Sequence, residues 1–205
     1  ERLNKIWKIG ARTVHLCMQD YIWDGIKRDR LVWIGDIHPE TRVVSAVFGK
    51  NDVIEKSLDY ARDNYPLPNW INGISSYSVW WIISHYDWYR YHGDKTYLAK
   101  QKEYLIGLLD LIMQNVDANG EEKLGEVRFL DWPTSEDSAA VSAGLQALTV
   151  WGLRAGAELC KVLGEDGTAK KASECAELAE SFKKPDNSRK SPNALLVLAD
   201  LIDAK

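Results

Sequence analysis

Apolar residues recur at steps of three and four over almost the whole chain, and no segment shows sustained alternation with a period of two. Such spacing places apolar side chains on one face of an α-helix, whereas a half-buried strand needs alternation. The first stretch, residues 4–19, carries Ile6, Trp7, Ile9, Val14 and Leu16. No Asn-Gly or Asp-Gly pair lies between two β-branched runs, as a hairpin turn would. The pattern therefore predicts an all-α chain.

Capping and breaking residues divide this pattern into seven or eight helices. Pro39 suits a first helical turn and Gly49 a position just past the last one, while Asn51 caps the next helix and Pro66 ends it. The predicted helices span residues 4–19, 39–48, 52–65, 75–92, 97–116, 138–162 and 166–182, with a short one from 192 onward. A charged linker is predicted at 183–191. Because the loops between helices are of modest length, antiparallel helix pairs are expected, as in an α/α toroid or solenoid.

Composition excludes several classes of function. The 26 basic and 30 acidic side chains leave a net charge of −4 without a basic run, which argues against nucleic acid as a partner. The longest apolar stretches are too short to cross a membrane. Three cysteines without CxxC spacing and four scattered histidines support neither a disulfide framework nor a metal site. No metal or cofactor is predicted.

Aromatic residues with a polar edge are in surplus, since the chain has 9 Trp and 9 Tyr but only 3 Phe. Many of them lie on the helix predicted at 75–92, where core packing is the default interpretation and some rings are expected to reach a pocket rim. Two polar, aromatic segments, 20–40 and 125–137, are the longest loops. Binding groups tend to lie on such loops when a rigid helical scaffold supports them.

The densest group of polar residues is DGIKRDRLVWIGD at residues 24–36. Its aspartates can accept hydrogen bonds from hydroxyl groups, its arginines can orient the carboxylates, and its indole can face a sugar ring. A phosphate would be repelled by three neighbouring anions, so carbohydrate suits the segment better. The alternative is a solvated turn whose aspartates and arginines only pair with each other, because surface ion pairs are common and weak.

The same residues resemble the signature of the α-L-rhamnosidases of glycoside hydrolase family 78. That signature has an aspartate, an acidic residue followed by arginine, and then Trp, one residue, Gly and Asp. The flanks resemble the family too, with Trp7-Lys-Ile-Gly, Tyr91-His-Gly-Asp94 and Phe129-Leu-Asp131-Trp132. The resemblance runs over nearly the whole chain. It implies an (α/α)6 barrel, a bacterial enzyme of carbohydrate metabolism and inverting hydrolysis of terminal α-L-rhamnosides.

The resemblance also implies roles for single residues of the motif. Asp29 corresponds to the general acid, which is Glu in many members, so the acid here is one methylene shorter. Asp24, Arg28 and Asp36 match the family's contacts to sugar hydroxyls, and Trp33 matches an aromatic ring that lines the pocket. By charge, Asp24 and Asp36 would raise the pKa of a neighbouring acid and Arg28 would lower it.

In the second loop, Asp131 and Trp132 resemble a further family contact, in which the indole stacks on the apolar face of the sugar. The alternative for Trp132-Pro133 is a loop anchored by a buried ring. The partner implied by the resemblance is a rhamnose-containing glycoside or polysaccharide.

The resemblance further implies a general base, a Glu on a later loop, which is expected beyond Lys205. Twelve helices with their loops would need more than roughly 300 residues. Residues 1–205 are therefore interpreted as part of an (α/α)6 catalytic domain, an incomplete barrel that lacks the C-terminal helices and the general-base loop. Glu40, Glu136 and Asp137 are the nearest local substitutes for the base. The chain alone is expected to be inactive, and uncovered barrel helices are expected to cause self-association.

Two other functions remain open at this stage. One is a different inverting (α/α)6 enzyme, such as a glucosidase or an unsaturated glucuronyl hydrolase, although the spacing from Asp24 to Asp36 argues against it. The other is a non-catalytic helical module that binds carbohydrate. The sequence does not distinguish a cytoplasmic from a periplasmic or secreted location, and it specifies neither the aglycone nor the linkage.

Overall fold

The structure is a computed structural model that describes residues 1–125, 127–182 and 187–203. These residues form nine α-helices and no β-strand, which confirms the all-α prediction for the described part of the chain. The helices are α1 (Arg2–Cys17), α2 (Ile34–Val47), α3 (Asp52–Asn64), α4 (Ser75–His92), α5 (Lys95–Lys100), α6 (Lys102–Gln114), α7 (Ser138–Leu163), α8 (Asp166–Ser181) and α9 (Lys190–Leu198). Of the predicted linker, residues 183–186 lie outside the described residues.

Four helices lie side by side in a row, since α2 packs on α4, α4 on α7, and α7 on α9. Of the remaining helices, α1 packs on α2, and α5, α6 and α8 pack on α7. The starts of α2, α4 and α7 lie at the same end of this row, together with the loops that precede them. The site is built at that end.

Buried tryptophans with satisfied indole groups hold α3 against α4. Trp81 and Trp88 are almost fully buried. The Trp81 indole N–H donates to the carbonyl oxygen of Leu58 at 3.0 Å, and the Trp88 indole N–H donates to Oε1 of Glu55 at 3.2 Å. Since a buried N–H needs an acceptor, these bonds let large polar-edged rings serve as core residues. Core packing is thus confirmed for this part of the aromatic helix.

Three helix boundaries differ from the sequence prediction. α2 begins at Ile34, five residues before Pro39, and tolerates the proline one turn further along. The helix predicted at 97–116 is divided at Gln101, whose buried side chain bonds Asp59 at 2.7 Å instead of facing solvent. α9 begins at Lys190, so Pro192 lies in its first turn, where its missing N–H costs no hydrogen bond.

The first helix is buried only near its C-terminal end, although its apolar stripe continues toward the N-terminus. Val14 and Cys17, near its end, are buried against the core, whereas Leu3, Ile6, Trp7 and Ile9 are exposed. An apolar stripe therefore remains open on α1. No helix of the described residues is long and apolar enough to cross a lipid bilayer.

Candidate functional site

The loop after α1 is closed by Asp24. Its backbone N–H donates to the carbonyl oxygen of Leu31 at 3.2 Å, and its Oδ1 accepts the Leu31 N–H at 3.1 Å. Within this loop Arg30 has a positive φ of 54° and its Nε donates to the carbonyl oxygen of Ile26 at 3.1 Å. Arg30 thus folds back on the loop, while Arg28 remains exposed toward the pocket.

Asn72 holds the extended residues that lead into α2. Its Oδ1 accepts the Ile34 N–H at 3.1 Å, and its Nδ2 donates to the carbonyl oxygen of Val32 at 3.2 Å and to the Tyr65 hydroxyl at 3.2 Å. Asn72 adopts a left-handed conformation with φ of 56°, which asparagine tolerates better than most residues. The Asn72-Gly73 dipeptide indicates a turn in the sequence, but nothing in the sequence indicates that this turn contacts the start of α2.

Asp29 is oriented by Trp33. The indole N–H of Trp33 donates to Oδ2 of Asp29 at 3.2 Å, and the guanidinium of Arg28 lies 4.0 Å from the same oxygen. The other oxygen, Oδ1, has no hydrogen-bond partner among the described residues. Because Arg28 is largely exposed and Asp29 is partly exposed, their ion pair is weak, and the indole bond is the firmer restraint on the carboxylate.

Asp36 lies in the first turn of α2, at the pocket mouth. Partial burial of its carboxylate raises the pKa of Asp36. The negative charges of Asp24 and Asp29 raise this pKa further, and the positive charge of Arg28 lowers it. These four residues therefore form one electrostatic group. Burial is the largest cause of the raised pKa of Asp36, and the charges of its three neighbours modify the shift.

Gly35 allows α2 to approach α4 closely. A Cβ added there would lie 2.2 Å from Cε1 of Tyr77, a distance that no packed ring permits. The ring of Tyr77 is mostly buried, and burial together with the charge of Asp36 raises its pKa to about 12. The glycine of the motif is therefore a packing requirement that places Tyr77 beside Asp36.

Four aromatic rings follow one another along the pocket wall. The ring centroids of Trp33 and Tyr77 are 6.1 Å apart, those of Tyr77 and Phe129 are 6.3 Å apart, and those of Phe129 and Trp132 are 5.1 Å apart. Each pair is edge-to-face, an arrangement that aromatic quadrupoles favour. Trp132 ends the series with 77% of its surface exposed, so the prediction of a buried anchoring ring is wrong for this tryptophan.

Asp131 is already hydrogen-bonded within the protein. Its Oδ1 accepts the Thr134 N–H at 2.9 Å and the Thr134 hydroxyl, and its Oδ2 accepts the Ser191 hydroxyl. Burial alone would raise the pKa of Asp131, but the bonds from Ser191 and Thr134 outweigh it and hold the pKa below its ordinary value. Its role as a sugar contact stays a prediction.

The second loop is anchored to α4 and α7. The Ser76 hydroxyl donates to the carbonyl oxygen of Phe129 at 2.6 Å. Leu130 packs so closely on α7 that a Cβ on Gly144 would lie 2.3 Å from its side chain. Arg128 makes a two-point contact with the buried carboxylate of Glu122, with its Nη1 3.0 Å from Oε2. The loop is thus held as part of the helical scaffold.

These segments enclose one pocket of about 630 Å³. All seven residues that the sequence singled out contribute to its lining: Asp24, Arg28, Asp29, Trp33, Asp36, Asp131 and Trp132. Sequence reasoning did not assign Tyr77, Trp80 and Phe129, which also line it. Tyr77 and Trp80 are three residues apart in the first turns of α4, and this spacing was the signal that could have found them.

Behind Trp80, His38 stacks on the indole with ring centroids 4.9 Å apart and an angle of 29° between the planes. Its Nε2 lies 3.0 Å from Oδ2 of Asp87, and Trp151 packs edge-on to both rings. The Trp80 indole therefore stacks on an imidazole that is itself in contact with Asp87. Glu40, one turn beyond Asp36 on α2, does not line the pocket.

Among the described residues, no group of three or more His, Cys, Asp or Glu side chains is arranged to hold a metal ion. The packed helices carry an open pocket of carboxylates and aromatic rings at one end of the row. The chain belongs to the bacterial α-L-rhamnosidase six-hairpin glycosidase domain family, whose model matches residues 1–185.

The fold is similar to that of a solved glycoside hydrolase family 78 rhamnosidase of Bacillus sp. GL1, with a TM-score of 0.79 and 18% sequence identity. The similarity covers 97% of this chain and 24% of that one, so the chain spans about a quarter of the length of the solved protein. The comparison with curated proteins found no match.

Proposed function

We propose that this chain forms part of an enzyme that hydrolyses terminal α-L-rhamnosides with inversion at the anomeric carbon, and that Asp29 is its general acid. The observation that carries the proposal is the convergence of the motif at 24–36 and the loop at 127–132 on one pocket. The family to which the chain belongs supports the sugar class.

The chemistry of the pocket suits a sugar ring. Carboxylates of Asp24 and Asp36 accept hydrogen bonds from hydroxyl groups, and the aromatic wall offers faces to the apolar C–H side of a pyranose. The volume lies within the roughly 300–1,000 Å³ of small-ligand sites. A methyl-bearing deoxy sugar such as rhamnose combines both kinds of surface, so this wall suits it better than a fully hydroxylated hexose.

Asp29 has the arrangement that a proton donor needs. Trp33 restrains Oδ2, and Oδ1 remains available to carry the proton to the departing glycosidic oxygen. Inversion requires a second carboxyl group roughly 6.5–9.5 Å away to activate water on the opposite face. Glu40, Glu136 and Asp137 do not line the pocket, and this supports the prediction that the base lies outside residues 1–205.

Binding of L-rhamnose to the purified chain tests the proposed sugar class. Isothermal titration calorimetry should show saturable binding that Trp33→Ala weakens at least tenfold, whereas Trp7→Ala, on the exposed face of α1, leaves it unchanged. D-glucose is the matched control sugar and should bind more weakly. Failure to bind L-rhamnose, or equal binding of both sugars, would contradict the proposal.

Turnover of an aryl α-L-rhamnoside separates an incomplete catalytic site from a complete one. We expect no turnover by residues 1–205, because none of the candidate bases Glu40, Glu136 and Asp137 lines the pocket. Of the other pocket carboxylates, Asp24 and Asp36 are assigned to sugar hydroxyls and Asp131 is hydrogen-bonded to Thr134 and Ser191. Turnover that Asp29→Asn abolishes would overturn this expectation and make the chain catalytically sufficient. If L-rhamnose binds and Asp29→Asn alters neither affinity nor selectivity, the result instead favours a non-catalytic carbohydrate-binding module.

A further inference from the structure

The residues just before and within the first turn of α9 contact the second pocket loop. Ser191, the second residue of α9, donates its hydroxyl to Oδ2 of Asp131, a residue 60 positions earlier. Arg189, immediately before the helix, donates from Nε to Oδ2 of Asp137 at 3.1 Å. Two side chains from one short segment therefore hold both ends of the loop that carries Trp132.

This segment has its own support. The Arg189 N–H donates to Oδ1 of Asn187 at 3.1 Å, and Asn193 donates from Nδ2 to the carbonyl oxygen of Asn187 at 3.4 Å. Beyond it, Leu195 and Leu196 are buried where α9 packs on α7. Ser191 thus lies on a packed helix, and Arg189 immediately precedes that helix.

Trp132, in contrast, has little support of its own. Most of its surface is exposed, and its ring contact is the edge-to-face one with Phe129. The backbone on either side is what fixes its direction: Asp131 caps the turn Trp132–Thr134, and Asp137 caps α7 through the Ala140 N–H at 3.0 Å. Both capping aspartates are the ones that Ser191 and Arg189 contact.

We propose that Ser191 and Arg189 are positioning residues that brace the loop at 131–137 and so present the Trp132 ring to the sugar. Asp131 then contributes to the site by holding the loop in place, because both of its carboxylate oxygens accept hydrogen bonds from Thr134 and Ser191. The consequence for ligand binding rests on the proposed function, whereas the brace itself is a property of the protein without ligand.

Hydrogen–deuterium exchange tests the brace without any sugar. Ser191→Ala should increase exchange of peptides covering 129–137 at least threefold, and Ser191→Thr, which keeps the hydroxyl, should restore the wild-type rate. Ser181→Ala is the matched control, because Ser181 donates only to the carbonyl oxygen of Leu178 at the end of α8. Unchanged exchange in Ser191→Ala would refute the brace, whatever the chain binds.

A double-mutant cycle tests the link to Trp132. Ser191→Ala should weaken L-rhamnose binding about threefold to tenfold in the wild-type chain and have no further effect in Trp132→Ala. Arg189→Gln should act in the same direction. An equal effect of Ser191→Ala in both backgrounds would show that Ser191 does not act through Trp132. Absence of L-rhamnose binding by the wild type, with increased exchange in Ser191→Ala, would refute the proposed sugar and leave the brace intact.

Discussion

Trp33 and Asp29 are joined by a hydrogen bond from the indole N–H to a carboxylate oxygen across 3.2 Å, within the loop that precedes α2. The same indole is edge-on to Tyr77. One side chain thus links the acidic residue of the motif to the aromatic wall contributed by α4. The orientation of the proposed acid depends on this link more than on its exposed neighbour Arg28.

Replacing Trp33 by Phe should separate the effect of the aromatic face from the effect of the indole N–H group. The variant keeps an aromatic face but leaves Asp29 unrestrained, so we expect L-rhamnose affinity to fall about threefold to tenfold, as for loss of a hydrogen bond to a charged group at a half-exposed site. Calorimetric titration measures the change. Trp7→Phe on α1 is the control, and equal affinities for wild type and Trp33→Phe would contradict the proposed role of the bond.

Gly35→Ala should destabilise the fold and distort the pocket. The new methyl group would meet the Tyr77 ring, which packs edge-to-face against both Trp33 and Phe129. Overpacking of this kind costs about 1–3 kcal/mol of unfolding free energy. Urea denaturation provides the measurement. Gly25→Ala should be close to neutral because nothing lies within 4 Å of its added Cβ; similar losses in both variants would disprove the packing argument.

Glu40→Gln should change how stability depends on pH. Burial raises the pKa of Glu40 to about 8 from its ordinary 4.5, and Asp36 and Asp24 add to the shift. Between these values the unfolded chain releases the proton while the folded chain keeps it. The stability contributed by the neutral form is therefore fully present below pH 4.5 and is lost as pH rises toward 8.

The glutamine variant lacks this titration. Its unfolding free energy relative to wild type should therefore increase between pH 5 and pH 9, by on the order of 2–4 kcal/mol for a half-buried group. Urea unfolding at several pH values provides the comparison, with Glu177→Gln on the exposed face of α8 as control. A constant difference across this range would show that Glu40 is ionised in the folded protein.

Self-association through α1 is a further expected property of the purified chain. Its exposed stripe of Leu3, Ile6, Trp7 and Ile9 is contiguous by helical spacing, and such patches favour association. Sedimentation velocity should show dimers or larger species at micromolar concentration. The double variant Ile6→Lys/Trp7→Lys should be monomeric, whereas Leu178→Lys, at an exposed position of α8, should behave as wild type. Association that persists in the double variant would place the interface elsewhere.

Local signals in the sequence were sufficient for most of the helices. Asn51 caps α3, Gly93 and Gly164 end α4 and α7 in the left-handed conformation, and each signal acts within one turn. The boundaries that were missed depend on distant partners. Gln101 divides α5 from α6 while it bonds Asp59 and Arg62, and no local pattern announces partners about 40 residues away.

The residues of the candidate site also fall into a group that local sequence spacing predicts and a group that it does not. The spacing of the motif placed Asp24, Asp29, Trp33 and Asp36 together, since a short segment keeps its members close. Tyr77 and Trp80 looked like core residues, because helical periodicity does not state which face of α4 meets the core and which meets a pocket.

By itself, the sequence determined that this chain is helical, that Asn51, Gly93 and Gly164 bound helices, and that residues 24–36 carry clustered acids beside an indole. All of these depend on neighbours within a few positions. The tertiary structure alone decided that the motif at 24–36 and the loop at 127–132 share one pocket. It also decided that Gly35 allows the close approach of Tyr77 and that the Ser191 hydroxyl donates a hydrogen bond to Asp131. Those relations depend on how the helices pack, and packing brings together side chains whose separation along the chain carries no signal.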